Sequence, residues 1–170
     1  MILRWTGAAL VVAGCGGFGL NLAAGHRRQE RMLTQLMCVL SYMEWELQYR
    51  MTALPELCRM ASREATGALR QVLLRLAVEL DSQACPDAAG CMQRAVEKTG
   101  EFPPALRRLL GRLGAILGRF DLPGQTAGLQ QLQQLCRKEL RRLEEGRDAR
   151  LRSYSTLGFC AGAALAILLL

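Results

Sequence analysis

The sequence of 170 residues has few aromatic residues, a single histidine and almost no charge at its ends. Aromatic residues make up 5% of it, and no stretch alternates polar and apolar residues over a useful length. Both observations disfavour β-sheet and favour helices. His26 stands alone and there is no C-x2-C pair, which speaks against a zinc site. All charged residues except Arg4 lie between Arg27 and Arg152.

Motifs of common enzymes are missing as well. The chain has no phosphate-binding Walker loop, no G-x-S-x-G nucleophile elbow and no H-E-x-x-H metal motif. A lone histidine leaves few general bases. The formal net charge is +7, but no finger motif or aromatic and basic sheet motif accompanies it, so nucleic-acid binding is not predicted. We therefore predict that the protein is not an enzyme and uses no cofactor or metal.

Two apolar segments lie at the ends of the chain, at residues 2–25 and 154–170. The first is long enough to span a bilayer, and the second is near the lower limit for a span. Basic clusters follow the first segment and precede the second, and both place the residues between them in the cytoplasm by the positive-inside rule. We predict two transmembrane helices that flank a cytoplasmic domain at residues 27–152.

Other interpretations of the first segment stay open. It could be a signal peptide cleaved near Ala23, or a lipoprotein signal that ends at Cys15. The apolar run continues past Cys15, where a mature lipoprotein would turn polar, and this favours a retained membrane helix. Whether the segment is retained or cleaved is not determined by the sequence.

The central domain divides into helices by apolar periodicity and turn residues. Pro55 is expected in the first turn of a helix, and Asp87 is expected to cap another. Short loops connect the helices, so we predict an all-α fold, a compact six-helix bundle. The predicted helices are residues 28–50, 55–64, 66–82, 88–98, 106–117 and a long final helix after Pro123.

The first helix of this domain carries two stripes of side chains. One stripe is apolar and has Glu44 near its centre, so Glu44 is predicted to be a buried charge that pairs with Arg137 or Arg141. Glu46 is predicted to face solvent and to pair with Arg50. The apolar stripe consists of Leu33, Leu36, Leu40, Met43, Leu47 and Met51.

The second stripe of this helix contains the candidate partner-binding residues Tyr42, Trp45 and Tyr49, together with Cys38. Two interpretations are open. The helix could be buried on both sides, or the aromatic stripe could be exposed and dock a partner. Elsewhere, Cys85 and Cys91 flank a turn, which leaves room for a disulfide. The scattered cysteines are otherwise expected to be small buried side chains in a reducing compartment.

Taken together, these residues resemble the stage III sporulation protein AB family. The matching motifs are Glu44-Trp-Glu46-Leu-Gln-Tyr49, then Thr52-Ala-Leu-Pro55-Glu56, and then Leu113-Gly114-x-x-Leu117-Gly118-Arg-Phe-Asp121-x-x-x-Gln125. Within them Pro55, Asp121 and Gln125 are the turn and family-motif residues. One departure is Ala53, where the family pattern has proline. The resemblance extends over essentially the whole chain.

This resemblance implies a function. The family is similar to the cytoplasmic domains of F-type platform proteins of type II secretion. It implies a platform in the secretion-like channel that joins mother cell and forespore, located in the outer forespore membrane with its domain in the mother-cell cytoplasm. The implied partners are other stage III sporulation channel proteins, including the secretion-type ATPase stage III sporulation protein AA. The alternatives are a membrane hairpin that contributes to a pore, or an unrelated membrane-anchored interaction module.

Overall fold

Helices form nearly all of the computed structural model, which describes residues 2–83, 85–118 and 121–169. The side chains before Gly25, that of His26 and those after Gly146 lie outside the described residues. All six predicted helices are present, and the described residues contain no strand. The helices are α1 (Ile2–Tyr49), α2 (Leu54–Ala61), α3 (Gly67–Asp81), α4 (Ala88–Thr99), α5 (Pro104–Ile116) and α6 (Leu122–Leu169), and a 3-10 turn at Ser62–Glu64 follows α2.

The predicted membrane spans, residues 2–25 and 154–170, fall in the outer parts of α1 and α6. Except for Gly25, their side chains lie outside the described residues, so both spans stay predictions. Among the described residues, no helical stretch has the length and apolar character that a membrane span requires.

The helices of the domain begin and end where local chemistry favours it. The Asp87 carboxylate accepts a hydrogen bond from the Gly90 backbone N–H at 3.0 Å, which confirms Asp87 as the cap of α4. Helices α2 and α5 have proline in their first turn. A backbone N–H at that position has no partner within the helix, so proline, which lacks it, costs no hydrogen bond there. Gly100, with φ of 124°, ends α4 in a conformation that only glycine adopts easily.

Packing follows the order of the helices along the chain. Helix α1 packs chiefly against α6, and neighbouring helices from α2 to α6 then pack on one another in sequence. The predicted apolar stripe of α1 is buried as far as Leu47, but Met51 is 73% exposed. Met51 leaves the stripe because α1 ends at Tyr49 and Met51 itself has a left-handed φ of 49°. The largest fully buried side chains are Leu33, Leu36, Leu40, Met43, Leu57, Leu69, Leu73, Leu76, Met92, Leu106, Leu110 and Leu113.

The cysteines of the core behave as small apolar side chains, as predicted. Cys58, Cys91 and Cys136 are buried, whereas Cys38 is exposed. Burial raises the pKa of Cys58 to about 12 and that of Cys136 to about 11, so neither thiol ionises near neutral pH. The described cysteines are free thiols, so Cys85 and Cys91 form no disulfide in this structure.

Two glycines allow α5 to approach its neighbours closely. A Cβ atom on Gly114 would lie 2.6 Å from the Met92 Cβ atom, so α4 and α5 can touch there only without that side chain. A Cβ atom on Gly128 of α6 would similarly lie 2.9 Å from Ile116 Cγ2. Both glycines therefore bring α5 against its two neighbours, and Gly114 belongs to the third family motif.

The Gly114→Ala substitution should lower the free energy of unfolding by about 1–3 kcal/mol, because α4 and α5 must move apart. Gly111→Ala, on the same helix, is the matched control, since a Cβ atom at Gly111 would meet nothing within 4 Å. That control should be neutral or stabilising by about 0.5–1 kcal/mol, because alanine favours helix more than glycine does. Thermal unfolding followed by far-ultraviolet circular dichroism measures both, and equal stability of the two variants would refute the close packing.

Candidate docking site

The end of α1 exposes a group of large apolar side chains. Trp45 is 48% exposed, Tyr49 is 72% exposed, and Met51 follows just beyond the helix. The Trp45 and Tyr49 rings lie 5.7 Å apart between centroids, and the Arg50 guanidinium carbon lies 5.7 Å from the Trp45 centroid. We call Trp45, Tyr49, Arg50 and Met51 the aromatic patch. Its exposure contradicts the interpretation in which α1 is buried on both sides.

Tyr42, the third candidate residue, lies one turn before the aromatic patch and is half-buried. Burial raises the pKa of its phenol, and the negative charge of Glu46 raises that pKa further. Arg50 and Arg63 act in the opposite direction. Tyr42 therefore contributes to the packing beneath the patch as well as to the exposed surface.

The buried carboxylate of α1 is Glu46, and the prediction that it faces solvent is wrong. Glu46 is 1% exposed. Its Oε1 atom accepts a hydrogen bond from Thr52 Oγ1 at 2.8 Å and lies 3.8 Å from Arg50 Nη1, whereas its Oε2 atom has no hydrogen-bond partner among the described residues. The reason is that the chain turns back after Tyr49 and places Thr52 over this side of the helix. The predicted pairing of Glu46 with Arg50 is present.

Glu44 is half-buried, and its partners are not the predicted arginines Arg137 and Arg141. Its carboxylate oxygens accept hydrogen bonds from Gln130 Nε2 at 2.6 Å and Gln133 Nε2 at 2.8 Å. Glu44 therefore lies level with an earlier turn of α6 than expected. The expectation assumed that both helices extend equally far from their predicted membrane boundaries, and the packing does not follow that assumption.

The family-motif residues shape the same end of the domain as the aromatic patch. Pro55 lies in the first turn of α2 and is half-buried. The Asp121 carboxylate accepts a hydrogen bond from the Gly124 N–H at 3.2 Å, and its backbone carbonyl accepts one from the Gln125 N–H at 2.9 Å. Asp121 therefore caps the start of α6, and the Gln125 N–H closes the first turn of that helix.

A glycine brings the second and third family motifs together. Gly118 has a φ of 74°, and a Cβ atom placed on it would lie 3.5 Å from Leu54 Cδ2. The turn after α5 therefore lies against the start of α2. The end of α1, the start of α2, the end of α5 and the start of α6 consequently form one end of the domain.

Sequence periodicity could not find the roles of Thr52 and Met51, because both lie past the end of α1. The only signal available was the break in helical pattern before Pro55. No group of three or more His, Cys, Asp and Glu side chains within the described residues could hold a metal ion. The chemistry that this end of the domain offers is therefore apolar and aromatic contact supported by a buried carboxylate.

The Glu46→Gln substitution should lower the pKa of Tyr42 towards its ordinary value of 10.0, because it removes a negative charge beside the phenol. A higher pKa in the folded chain means that the folded chain holds the proton more tightly. The contribution of Tyr42 to the free energy of unfolding is therefore complete below pH 10 and falls as pH rises through the folded pKa. Phenolate absorbance during an alkaline titration, compared with a Tyr42→Phe variant, isolates this group.

Glu44→Gln is the control for this titration, because Glu44 bonds to α6 and is absent from the groups that shift Tyr42. It should leave the pKa of Tyr42 unchanged. If both glutamine variants shift the titration equally, the placement of Glu46 beside Tyr42 is wrong.

The fold and this surface define an all-α helical-bundle protein with an exposed aromatic patch. Residues 4–170 match the family model described as stage III sporulation protein AB, so the chain belongs to that family and the resemblance of its motifs is confirmed. A solved structure described as "Stage III sporulation protein AB (SpoIIIAB)" has a similar fold, with a TM-score of 0.63 and 17% identity. The similarity covers 72% of this chain and 98% of that chain. Comparison with curated proteins finds no match.

Proposed function

We propose that this protein is a non-enzymatic membrane platform of the secretion-like channel between mother cell and forespore. In this function its helical domain docks a cytosolic secretion-type ATPase, stage III sporulation protein AA, through the aromatic patch. The observation that carries the proposal is the exposure of Trp45 and Tyr49 on the last turns of α1, with the exposed Met51 just beyond the helix. Large exposed aromatic side chains next to an arginine are typical of the residues that dominate protein–protein binding energy.

The position of the patch supports a partner that approaches from the cytosol. Trp45 lies 20 residues beyond Gly25, which ends the predicted first span, so it is about 30 Å along α1 from that boundary. A partner at a membrane surface would not reach that far without contacting the rest of the domain first. This distance supports a soluble assembly as the partner, which in this proposal lies in the mother-cell cytoplasm, with the two predicted spans in the outer forespore membrane.

Polar contacts lie beneath the patch. Arg50 bridges from the Trp45 ring to the buried Glu46 carboxylate, and Thr52 donates a hydrogen bond to the same carboxylate oxygen, Oε1. These contacts restrain Arg50 over the Trp45 ring before a partner binds, which reduces the entropy lost on binding. The expected similarity of the family to F-type platform domains of type II secretion is the reason for proposing a secretion-type ATPase as the partner.

The double substitution Trp45→Ala and Tyr49→Ala should weaken binding of the purified ATPase at least thirtyfold, as removal of an interface residue worth about 2 kcal/mol would do. Binding is measured by biolayer interferometry with the full chain in nanodiscs. Because Tyr49 is largely exposed and Trp45 is about half exposed, thermal stability should change less than binding does, and a melting curve of each variant checks this.

Leu74→Ala with Val78→Ala is the matched control, since both side chains are exposed apolar residues on α3. This variant should bind the ATPase as the wild type does. The docking proposal fails if the ATPase binds the Trp45 and Tyr49 variant with unchanged affinity, or if the α3 variant loses binding instead.

A further inference from the structure

A groove between α5 and α6 forms a second surface that shares no residue with the aromatic patch. It has a volume of about 450 Å³ and an apolar floor formed by Ala105, Leu109 and Leu135. Its walls carry five cationic side chains but only two carboxylates, those of Glu139 and Glu145. We call it the basic groove, and its cations are Arg108 and Arg112 of α5 and Lys138, Arg141 and Arg142 of α6.

Four of these five cations form no ion pair with a described residue. Arg142 lies 4.0 Å from Glu139, but Arg108, Arg112, Lys138 and Arg141 take part in no ion pair within the residues that the structure describes. Elsewhere in the described part of the domain, Lys98 pairs with Glu79 and Arg59 with Asp81 across helices, whereas Arg70 and Arg75 form no ion pair. The groove differs from such isolated arginines because its cations line one concave surface. Unpaired like charges that converge on one groove repel each other and favour an anionic ligand.

We propose that the basic groove binds an acidic amphipathic helix of a partner protein. The part of α6 that lines it runs from Leu135 to Glu145, about 15 Å or nearly three helical turns, which is enough to seat a short helix. The apolar floor takes the apolar face of that helix. The cations on both walls then meet its carboxylates, and arginine binds these with two parallel hydrogen bonds.

A lipid surface fits the groove less well than a peptide. A flat bilayer would touch only the outer ends of the cationic side chains and leave the apolar floor uncovered. Nucleic acid is also disfavoured, because the lining offers no aromatic ring on which a base could stack. The proposal does not rest on docking of the ATPase, because the two surfaces have different residues and different chemistry.

The test uses the full chain in nanodiscs of neutral lipid and a fluorescein-labelled peptide of about 15 residues, enough for four helical turns. Leucine occupies one face of this peptide and glutamate the other positions, and a matched peptide has glutamine in place of every glutamate. The groove variant carries Arg108→Glu and Arg112→Glu. The control variant carries Arg70→Glu and Arg75→Glu on α3, which makes the same change of net charge on another exposed surface.

We expect fluorescence anisotropy to show that the wild type and the α3 variant bind the acidic peptide, with an affinity that falls as salt rises. The groove variant should bind it at least about tenfold more weakly, as the loss of closely paired charges at an interface implies. The glutamine peptide should bind all three proteins poorly. Far-ultraviolet circular dichroism checks that the variants are folded.

Three results would overturn the proposal. Equal loss of peptide binding in the groove and α3 variants would mean general attraction to a basic protein. Equal binding of the glutamine peptide would mean that the cations do not recognise carboxylates. In a parallel measurement with anionic phosphatidylglycerol vesicles, loss of vesicle binding by the groove variant with unchanged peptide binding would identify the groove as a lipid contact.

Discussion

The packing of α1 against α6 is the contact on which the rest of the domain depends. Each of these long helices has an apolar stripe that it cannot bury alone, and each buries it chiefly against the other. Glu44 adds two hydrogen bonds across this pair, to Gln130 and Gln133. The shorter helices α2 to α5 then pack in chain order and close the core on the side that the pair leaves open. Stability and the relative position of both candidate surfaces follow from this pair.

The end of α1 at Tyr49 determines the character of the candidate docking site. Because the helix ends there, Met51 leaves the apolar stripe and becomes exposed, and Thr52 covers Glu46. A carboxylate expected in solvent is consequently buried, and aromatic side chains that could have been buried are exposed. A single helix end thus produces an exposed apolar patch and the polar contacts that hold it in place.

The aromatic patch and the basic groove differ in chemistry as well as in position. The aromatic patch lies where the family motifs meet, whereas the basic groove lies along the part of α6 that leads towards the second predicted span. An apolar patch gains affinity mainly by burial, and a basic groove gains specificity and association rate from charge. A platform that contacts two partners at once would benefit from surfaces that do not compete for the same kind of ligand.

Apolar periodicity, prolines and the Asp87 cap were enough to predict six helices and most of the buried leucines, because these are local properties of the chain. Family motifs were enough to predict the family. The sequence alone did not determine which glutamate of α1 is buried, since Glu44 and Glu46 depend on where α6 and the turn at Thr52 lie. It also could not show that Arg108 and Arg112 share a groove with Lys138 and Arg141. Those residues are far apart in the chain, and only the packing of α5 against α6 brings their charges together.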